Sequence, residues 1–265
     1  MVERLVPDEL WELFARVVPP APTRPQGGGR QRYGDREVLA AIVFVATSGC
    51  TWKQLPPSFG PSGPTAHRRF SEWSRARVWA KLHRLVLDEL GARGDLDWSR
   101  CAIDSVNMRA LKGGGLTGPN PVDRGKKGSK IHLITERTGL PLSVGISGAN
   151  LHDSQALQPL VRGIPPIRSR RGPRRRKPAK LHADKGYDYD HLRRWLRKRG
   201  ITHRIARKGV ESSTRLGRHR WTIERTMAWL AGCRRLHRRY ERKAEHFMAF
   251  TAIACTLICY RRLTK

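Results

Sequence analysis

Residues Cys101 to Ala110 read C-A-I-D-S-V-N-M-R-A. This short apolar run ends in the carboxylate of Asp104, a pattern typical of a buried strand that carries an acid to the edge of a sheet. A second run of the same shape, L-H-A-D, ends at Asp184, and a third acid, Glu224, lies in a helical pattern near the end of the chain. Two strand-borne aspartates and one helix-borne glutamate, brought together by a fold, are suited to bind a pair of hard divalent cations.

The order of elements around these acids predicts an α/β fold. Residues 131–146 alternate apolar and polar positions on either side of Glu136-Arg137-Thr138-Gly139, which predicts a β-hairpin. A strand over 180–184, a helix through Leu192 to Leu196 and a strand over 201–206 follow. Three strands, a helix, a strand, a helix, a strand and further helices form the outline of a ribonuclease-H-like (RNase-H-like) core, a mixed sheet flanked by helices.

The N-terminal part predicts an all-α domain over residues 1–95, followed by the RNase-H-like domain over residues 96–265. In the first domain, Thr51-Trp52-Lys53-Gln54 has the order of a capping box, and a turn rich in Gly and Pro leads to a helix that Thr65 can cap. This order is a helix-turn-helix outline, although a packing domain with a solvated basic face is an equal alternative. We predict DNA contact for three residues at the start of the helix that Thr65 can cap: His67, Arg68 and Arg69.

The charge of the chain indicates a polyanionic partner. Lys and Arg number 53 against 22 Asp and Glu, so the formal charge is +31. The basic residues recur along the whole chain and are interleaved with apolar positions, which favours nucleic acid over a membrane surface. A basic, ribosomal-type RNA binder is the alternative.

Membrane and secreted classes are disfavoured. The most apolar stretch, Phe247 to Tyr260, is too short to span a bilayer and predicts a buried helix. The N-terminus lacks the pattern of a signal peptide. The five cysteines are odd in number and contain no C-x-x-C, so we predict reduced core cysteines in a cytoplasmic protein. Together with the predicted binding of nucleic acid, this indicates association with the nucleoid.

Glu224 carries more information than the other acids. Its surroundings predict one helix from Arg218 to Arg242, with Glu224 at the border between an apolar stripe and a basic edge. The predicted buried stripe consists of Ile223, Met227, Leu230, Cys233, Leu236 and Tyr240. The predicted basic edge consists of Arg220, Arg235, Arg238 and Arg242.

Each acid also has a structural explanation. Asp104 could cap a turn, Asp184 could start the following helix, and Glu224 could pair with Arg220 or Arg225 on its own helix. The joint order of the three acids in fitting contexts favours the metal site.

Asp153 competes with them as a metal ligand. It also follows a strand, in H-D-S, although capping of the next helix is the favoured interpretation. A Ser-His-Asp hydrolase is disfavoured, because the chain contains no G-x-S-x-G motif.

At these residues the chain resembles the bacterial insertion-sequence DDE transposases, in particular the insertion sequence five family. The matching passages are A-I-D-S-V around Asp104, G-P-N-P-V-D-R-G-K-K-G-S-K-I-H-L over 118–133, G-A-N-L-H-D-S, L-H-A-D-K-G-Y-D around Asp184, and R-W-T-I-E-R-T-M-A-W-L with R-R-L-H-R-R-Y-E around Glu224. The resemblance implies an RNase-H-like catalytic core with a DDE triad on Asp104, Asp184 and Glu224. It further implies two Mg²⁺ ions, for which Mn²⁺ can substitute, and a homo-oligomer that acts on double-stranded DNA at the element's ends and at the target.

The chain departs from this family around the glutamate. Many relatives carry a tyrosine, an arginine and a lysine at set spacings from it. Arg220 fits the arginine, but Gly217 and Ala231 stand where the tyrosine and the lysine would be. Arg234 and Arg235 can take over the phosphate contacts. The residues with predicted DNA contact in this domain are Arg124, Lys126, Lys130, Arg220, Arg225, Arg234 and Arg235.

The functional hypothesis is therefore a DNA transposase that binds terminal inverted repeats and catalyses two-metal-ion phosphodiester hydrolysis and strand transfer. A basic DNA-binding regulator with a decayed catalytic core and a nuclease without strand transfer are the alternatives.

Overall fold

The N-terminal region is helical, as predicted. The computed structural model of the protein describes residues 1–21, 32–210 and 213–265, the last range with side chains from residue 221 onward. The helices of this region are α1 (Val2–Leu5), α2 (Asp8–Ala15), α3 (Asp35–Ser48), α4 (Gly63–Arg75) and α5 (Val78–Arg93). Helix α3 ends at Gly49, whose φ of 75° is a left-handed conformation that favours glycine.

The connection between α3 and α4 contains the predicted capping box. The Thr51 backbone N–H donates to Gln54 Oε1 at 3.0 Å, and the segment forms two 3-10 turns, Trp52–Gln54 and Pro57–Phe59. The prediction that Thr65 caps α4 was wrong. The cap is Ser62, whose Oγ accepts the Thr65 N–H at 3.4 Å, because Pro64 fits the first turn of a helix and allows an earlier start.

A six-stranded mixed sheet forms the centre of the rest of the chain. Its strands are β1 (Cys101–Arg109), β2 (Gly118–Pro119), β3 (Lys127–Glu136), β4 (Pro141–Gly148), β5 (Lys180–Ala183) and β6 (Thr202–Ile205). The order is β2-β3-β1-β5-β6, and β4 also pairs with β3. The pairs β1/β3 and β3/β4 are antiparallel, whereas β1/β5 and β5/β6 are parallel. The fold is RNase-H-like, and the predicted β3–β4 hairpin is confirmed.

Helices cover the sheet: α6 (Ser154–Gly163), α7 (Asp190–Lys198) and α8 (Ser213–Ala231). The Ser105 hydroxyl contacts Asp153 at the start of α6, so α6 lies on the Ser105 side of β1. Helix α7 contacts His203 through Arg193, and the strand register places His203 on that same side. Helix α8 packs over β3, β1 and β5. Asp104 precedes Ser105 and therefore faces the side opposite to α6 and α7.

Helix α8 ends earlier than predicted. The prediction of one helix from Arg218 to Arg242 was wrong, because α8 stops at Ala231 and Gly232 follows. A 3-10 turn over Arg234–Leu236 comes next. Arg239 then bonds to the end of β1, where its N–H donates to the Arg109 carbonyl at 2.8 Å. Of the predicted stripe, Cys233 and Leu236 are buried, but Tyr240 is 37% exposed. The predicted basic edge is therefore not continuous with Glu224.

The last helix, α9 (Ala244–Leu263), closes the core between the sheet and the N-terminal helices. Phe250 of α9 stacks on Phe70 of α4 with ring centroids 4.5 Å apart. This confirms the prediction of a buried helix over residues 247–260. Among the described residues, no helix is long and apolar enough to cross a bilayer. The five cysteines are free.

Candidate active site

Asp104 and Asp184 lie side by side at the centre of the sheet. Ala102 pairs with His182 in the parallel β1/β5 ladder, and two further residues along each strand lead to Asp104 and Asp184. Alternate residues of a strand point to the same face, and neighbouring strands lie roughly 4.8 Å apart. Both aspartates are half-buried. The structure thus brings these two of the three predicted acids together on one face.

Each of the two aspartates accepts a hydrogen bond from a nearby backbone N–H. Asp184 Oδ1 accepts the Gly186 N–H at 2.9 Å and starts the 3-10 turn Lys185–Tyr187, so the capping role considered for Asp184 is present. Within the described part of the chain, Asp184 makes no ion pair. Asp104 Oδ1 accepts the Ser105 N–H at 2.8 Å. Because Asp184 makes no ion pair among the described residues, its carboxylate keeps oxygen lone pairs for a further ligand.

Glu224 does not lie with Asp104 and Asp184. Its side chain is exposed, whereas Thr222, Ile223 and Thr226 of the same helix are buried. Among the described residues, no three His, Cys, Asp or Glu side chains are placed to hold a metal ion together. The predicted meeting of all three acids at one point is therefore not seen, because the packed face of α8 carries the threonines and Ile223.

The β3–β4 hairpin holds α8 at the level of Glu224. Thr226 Oγ1 donates to the Gly139 carbonyl at 2.6 Å, and Arg225 Nη2 donates to the Thr138 carbonyl at 2.5 Å. The Arg225 guanidinium also lies 4.5 Å from the Trp221 ring and 4.6 Å from the Trp229 ring. The exposed neighbours of Glu224 are thus an ordered group of aromatic and cationic side chains.

Asp153 does not belong to this pair. It occupies the N-cap position of α6 but makes no side-chain cap hydrogen bond, so the prediction that its side chain caps the helix was wrong. Its Oδ1 accepts from the Ser105 hydroxyl at 2.8 Å and from Lys130 Nζ at 2.9 Å. Ser105 faces the side of β1 opposite to Asp104, so Asp153 and Asp104 lie on opposite faces of the sheet.

A cavity of about 850 Å³ adjoins the Asp153 face, and its lining includes His83 and His132 as well as Arg75, Arg77, Arg84 and Glu245. Burial lowers the pKa of His132 to about 4, while the carboxylate of Asp153 opposes this shift and Lys130 adds to it. Burial also lowers the pKa of His83 to about 4. Both imidazoles are therefore neutral near pH 7.

Three of the residues with predicted DNA contact are buried in ion pairs. Arg69 pairs with Asp35 in the N-terminal region. Arg235 Nε donates to Glu241 Oε1 at 2.9 Å. Lys130 is 7% exposed and is engaged with Asp153 as described. The structure does not present these three side chains to DNA, and we correct those predictions. The reason is that each cation meets a carboxylate that local sequence does not reveal.

The other basic residues with predicted DNA contact are accessible where the structure describes them. Arg225 is half-buried, and the side chain of Arg220, like Gly217, lies outside the described side chains. The exposed members are His67, Arg68, Arg124, Lys126 and Arg234.

A basic cavity that the sequence analysis missed lies on the Asp104 face. Its volume is about 590 Å³, and its lining consists of Ser99, Arg100, Arg137, Lys180, His182 and Arg204. The sequence contains a pattern that indicates this cavity. Lys180, His182 and Asp184 alternate along one strand and therefore share a face.

Models of known protein families match nearly all of the chain. A family model described as "Transposase DDE domain" matches residues 98–259, and one described as "Putative transposase of IS4/5 family (DUF4096)" matches residues 6–83. The chain is 46% identical over 149 residues to "Putative transposase for insertion sequence element IS402" of Burkholderia cepacia, covering 56% of this chain and 71% of that protein. It is 39% identical over 123 residues to "Insertion element IS402 uncharacterized 16.2 kDa protein" of the same organism, covering 46% of this chain and 84% of that protein.

Solved structures give weaker similarities. A chain of the simian T-cell lymphotropic virus intasome in complex with PP2A regulatory subunit B56 gamma is 14% identical with a TM-score of 0.34, over 82% of this chain and 64% of that chain. The present chain thus spans less than two thirds of the viral one. A chain of the Mos1 strand transfer complex is 11% identical with a TM-score of 0.32, over 90% of this chain and 81% of that chain. Scores of this size carry no structural argument.

Proposed function

This chain belongs to the IS4/5 family of DDE transposases, and from this premise we propose that it binds the terminal inverted repeats of its own insertion element, hydrolyses phosphodiester bonds there and transfers the strand ends to target DNA. The observation that supports this most is the pair Asp104 and Asp184, adjacent on one face of the sheet. The basic cavity on the same face adds the charge that a DNA strand needs.

Asp104 and Asp184 are the residues that would hold the metal. Their carboxylates are hard oxygen ligands of the kind that Mg²⁺ prefers. Asp184 uses Oδ1 for the Gly186 N–H, and within the described residues its Oδ2 accepts no hydrogen bond. When bound, two Mg²⁺ ions, or Mn²⁺ in their place, would activate the attacking hydroxyl and support the leaving oxygen.

Glu224 would complete the site when α8 changes its position on DNA. Glu224 directly follows Ile223, which is buried, and one residue of a helix turns by about 100°. Near Glu224, α8 is held by the bonds of Arg225 and Thr226 to the hairpin. A rotation that exchanges a few such bonds for contacts to DNA phosphates would bring the carboxylate towards the aspartates.

DNA would be held by both parts of the chain. We assign residues 1–95 to a DNA-binding domain and residues 96–265 to the catalytic domain. The side chains offered to phosphates or bases are His67, Arg68, Arg124, Lys126, Arg225 and Arg234. The partner is double-stranded DNA at the element's ends and at the target, a homo-oligomer assembles on it, and the protein acts in the cytoplasm at the nucleoid.

A catalytically decayed DNA-binding regulator is the second candidate. The exposed position of Glu224, apart from the two aspartates, favours it. Such a protein would bind DNA with a steep salt dependence and would not cleave it.

The test is metal-dependent nicking of a duplex that spans one end of the element. The wild type is expected to nick this duplex in Mg²⁺ and to join the released end to a second duplex. Asp184→Asn and Glu224→Gln should bind the duplex as tightly as the wild type and lose nicking by about 10³-fold or more. Asp190→Asn is the matched control, since Asp190 is an exposed acid in the first turn of α7.

Three outcomes separate the candidates. Binding without nicking by the wild type would establish the regulator. Nicking without joining would establish a nuclease. Equal nicking by the wild type and by Asp184→Asn would overturn the assignment of the acids.

A further inference from the structure

We propose that the basic cavity on the Asp104 face holds successive phosphates of the DNA strand whose scissile bond lies at Asp104 and Asp184. This inference rests on the proposed function and deepens it, because it adds residues that position the substrate. The residues that would contact the phosphates are Lys180, at the start of β5, and Arg204 of β6, both in the lining of the cavity.

The cavity is in line with the two aspartates. Along β5, Lys180, His182 and Asp184 point to the same face because alternate residues of a strand do so. At about 3.3 Å per residue, His182 lies about 7 Å and Lys180 about 13 Å before Asp184. Arg204 of β6 is the direct cross-strand partner of His182. A chain molecule bound at Asp184 would therefore continue over these side chains.

Two cations of the cavity, Lys180 and Arg204, make no ion pair among the described residues. Four Arg or Lys side chains and one His line the cavity, and no acid is among its described lining residues. Of these cations, Arg137 pairs with Asp97 at 3.1 Å. Cations placed on neighbouring strands repel one another and destabilise a sheet. Exposed cations that have no acidic partner among the described residues are suited to bind an anionic ligand.

The width of the cavity suits a DNA strand. It extends across β1, β5 and β6, a distance of roughly 10 Å at 4.8 Å per strand, which leaves room for two adjacent phosphates of one DNA strand. Lys180 and Arg204 are exposed, so phosphates can reach them without a change in the core. Arg supplies a bidentate fork for phosphate oxygens and Lys a mobile point charge.

The experiment compares Lys180→Gln and Arg204→Gln with Lys198→Gln. Lys198 is an exposed lysine of α7, on the opposite face of the sheet, so the control removes the same charge elsewhere. The probe is a duplex spanning one end of the element, and binding is measured by anisotropy at several salt concentrations. Each cavity variant should lower affinity about tenfold and reduce the salt slope by about 0.9, whereas the control should change the affinity far less.

A neutral linkage in the DNA locates the contact. Single methylphosphonate linkages are placed on either side of the scissile bond, one duplex at a time. At a linkage within a few nucleotides of the nick, neutralisation should weaken binding of the wild type and Lys198→Gln. It should not weaken binding further in the variant whose substitution removes the side chain that contacts this phosphate, because that contact is already lost.

The outcomes distinguish this inference from the proposed function. If the wild type fails to nick but the cavity variants lose affinity with the predicted linkage pattern, the cavity binds DNA and only the catalytic proposal fails. If the wild type nicks, and the cavity variants bind with the affinity and slope of Lys198→Gln, the inference about the cavity is overturned while the catalytic proposal stands.

Discussion

Asp104 and Asp153 are both followed by serine, yet they lie on opposite faces of the sheet and in different environments. On the Asp153 face, the carboxylate is matched by Lys130 and Ser105. The adjoining cavity is lined by two neutral histidines, and its arginines are accompanied by an acid, Glu245. The charge of Asp153 is therefore balanced within the protein.

The Asp104 face has the opposite character. Asp184 makes no ion pair among the described residues, although the cations of Lys180 and Arg204 lie farther along the same face. Asp184 and these two cations are thus arranged in line, and among the described residues Asp184 is paired with neither of them. The comparison teaches that the residue type does not identify a functional acid, whereas the presence or absence of an internal counter-ion does.

The largest effect we expect is a loss of stability in acid that arises from the Asp153 face. His83 and His132 have a pKa of about 4 in the folded protein, against an ordinary value of 6.5. Above about pH 6.5 both states are neutral, and between about 6.5 and 4 only the unfolded chain takes up the protons, so stability falls by up to about 3 kcal/mol per histidine. Below about pH 4 this loss levels off.

Urea unfolding across this pH range measures the effect. His83→Gln keeps a donor for the Pro141 carbonyl, which His83 Nε2 approaches at 3.0 Å, and glutamine does not titrate. The variant should therefore lose about half of the pH dependence. An unchanged pH dependence in His83→Gln would contradict the assignment of a buried, neutral imidazole.

The next effect is the removal of the counter-ion of Asp153. Lys130→Met leaves that carboxylate without its cation, and the loss of one partner of a buried pair costs about 3–5 kcal/mol. We expect about 3 kcal/mol, the lower limit, because the Asp153 side chain is 34% exposed. Chemical unfolding measures it, with Lys126→Met, at an exposed position, as the control. Equal stability of both variants would show that the two faces do not differ in this way.

A smaller effect concerns the hairpin that holds α8. Gly139 has a φ of 97°, and an added Cβ would lie 2.9 Å from Thr226 Oγ1. Gly125 has a φ of 72° and no atom within 4 Å of an added Cβ, so it isolates the backbone cost. Gly125→Ala should destabilise by about 1 kcal/mol and Gly139→Ala by about 2 kcal/mol. If Gly139→Ala costs no more than Gly125→Ala in thermal unfolding, Thr226 does not pack on the hairpin as described.

The smallest effect on stability is expected at Asp184. Asp184→Asn keeps an oxygen for the Gly186 N–H and breaks no ion pair within the described residues. Unfolding free energies of the variant and the wild type should agree within about 1 kcal/mol. A loss as large as that of Lys130→Met would place Asp184 among the structural acids.

Local signals were sufficient for much of the fold. Period-two alternation predicted β3 and β4, and the order of strands and helices predicted the RNase-H-like core. Strand register, once known, places Asp104 beside Asp184. The end of α8 was missed because one apolar stripe was continued past Gly232. A helical wheel shows which residues share a face but not where the helix ends, so it does not reveal a glycine that terminates the helix.

Burial of charge could not be predicted from local sequence. Arg69 pairs with Asp35, which is 34 residues away in the sequence, and Lys130 pairs with Asp153, which is 23 residues away. Such pairs depend on tertiary packing, so local sequence predicted exposed side chains for these cations. The orientation of Glu224 has the same origin, because contacts of α8 with the hairpin decide which side of the helix is buried.

Binding of Mn²⁺ to the protein without DNA, followed by electron paramagnetic resonance, tests the account's central claim most directly. The wild type and the control Asp190→Asn should bind Mn²⁺, and Asp184→Asn should lose this binding, while Glu224→Gln should retain it because Glu224 stands apart from the aspartates before DNA docks. Equal Mn²⁺ binding by the wild type and Asp184→Asn would contradict the claim that the paired aspartates on this face form the metal site.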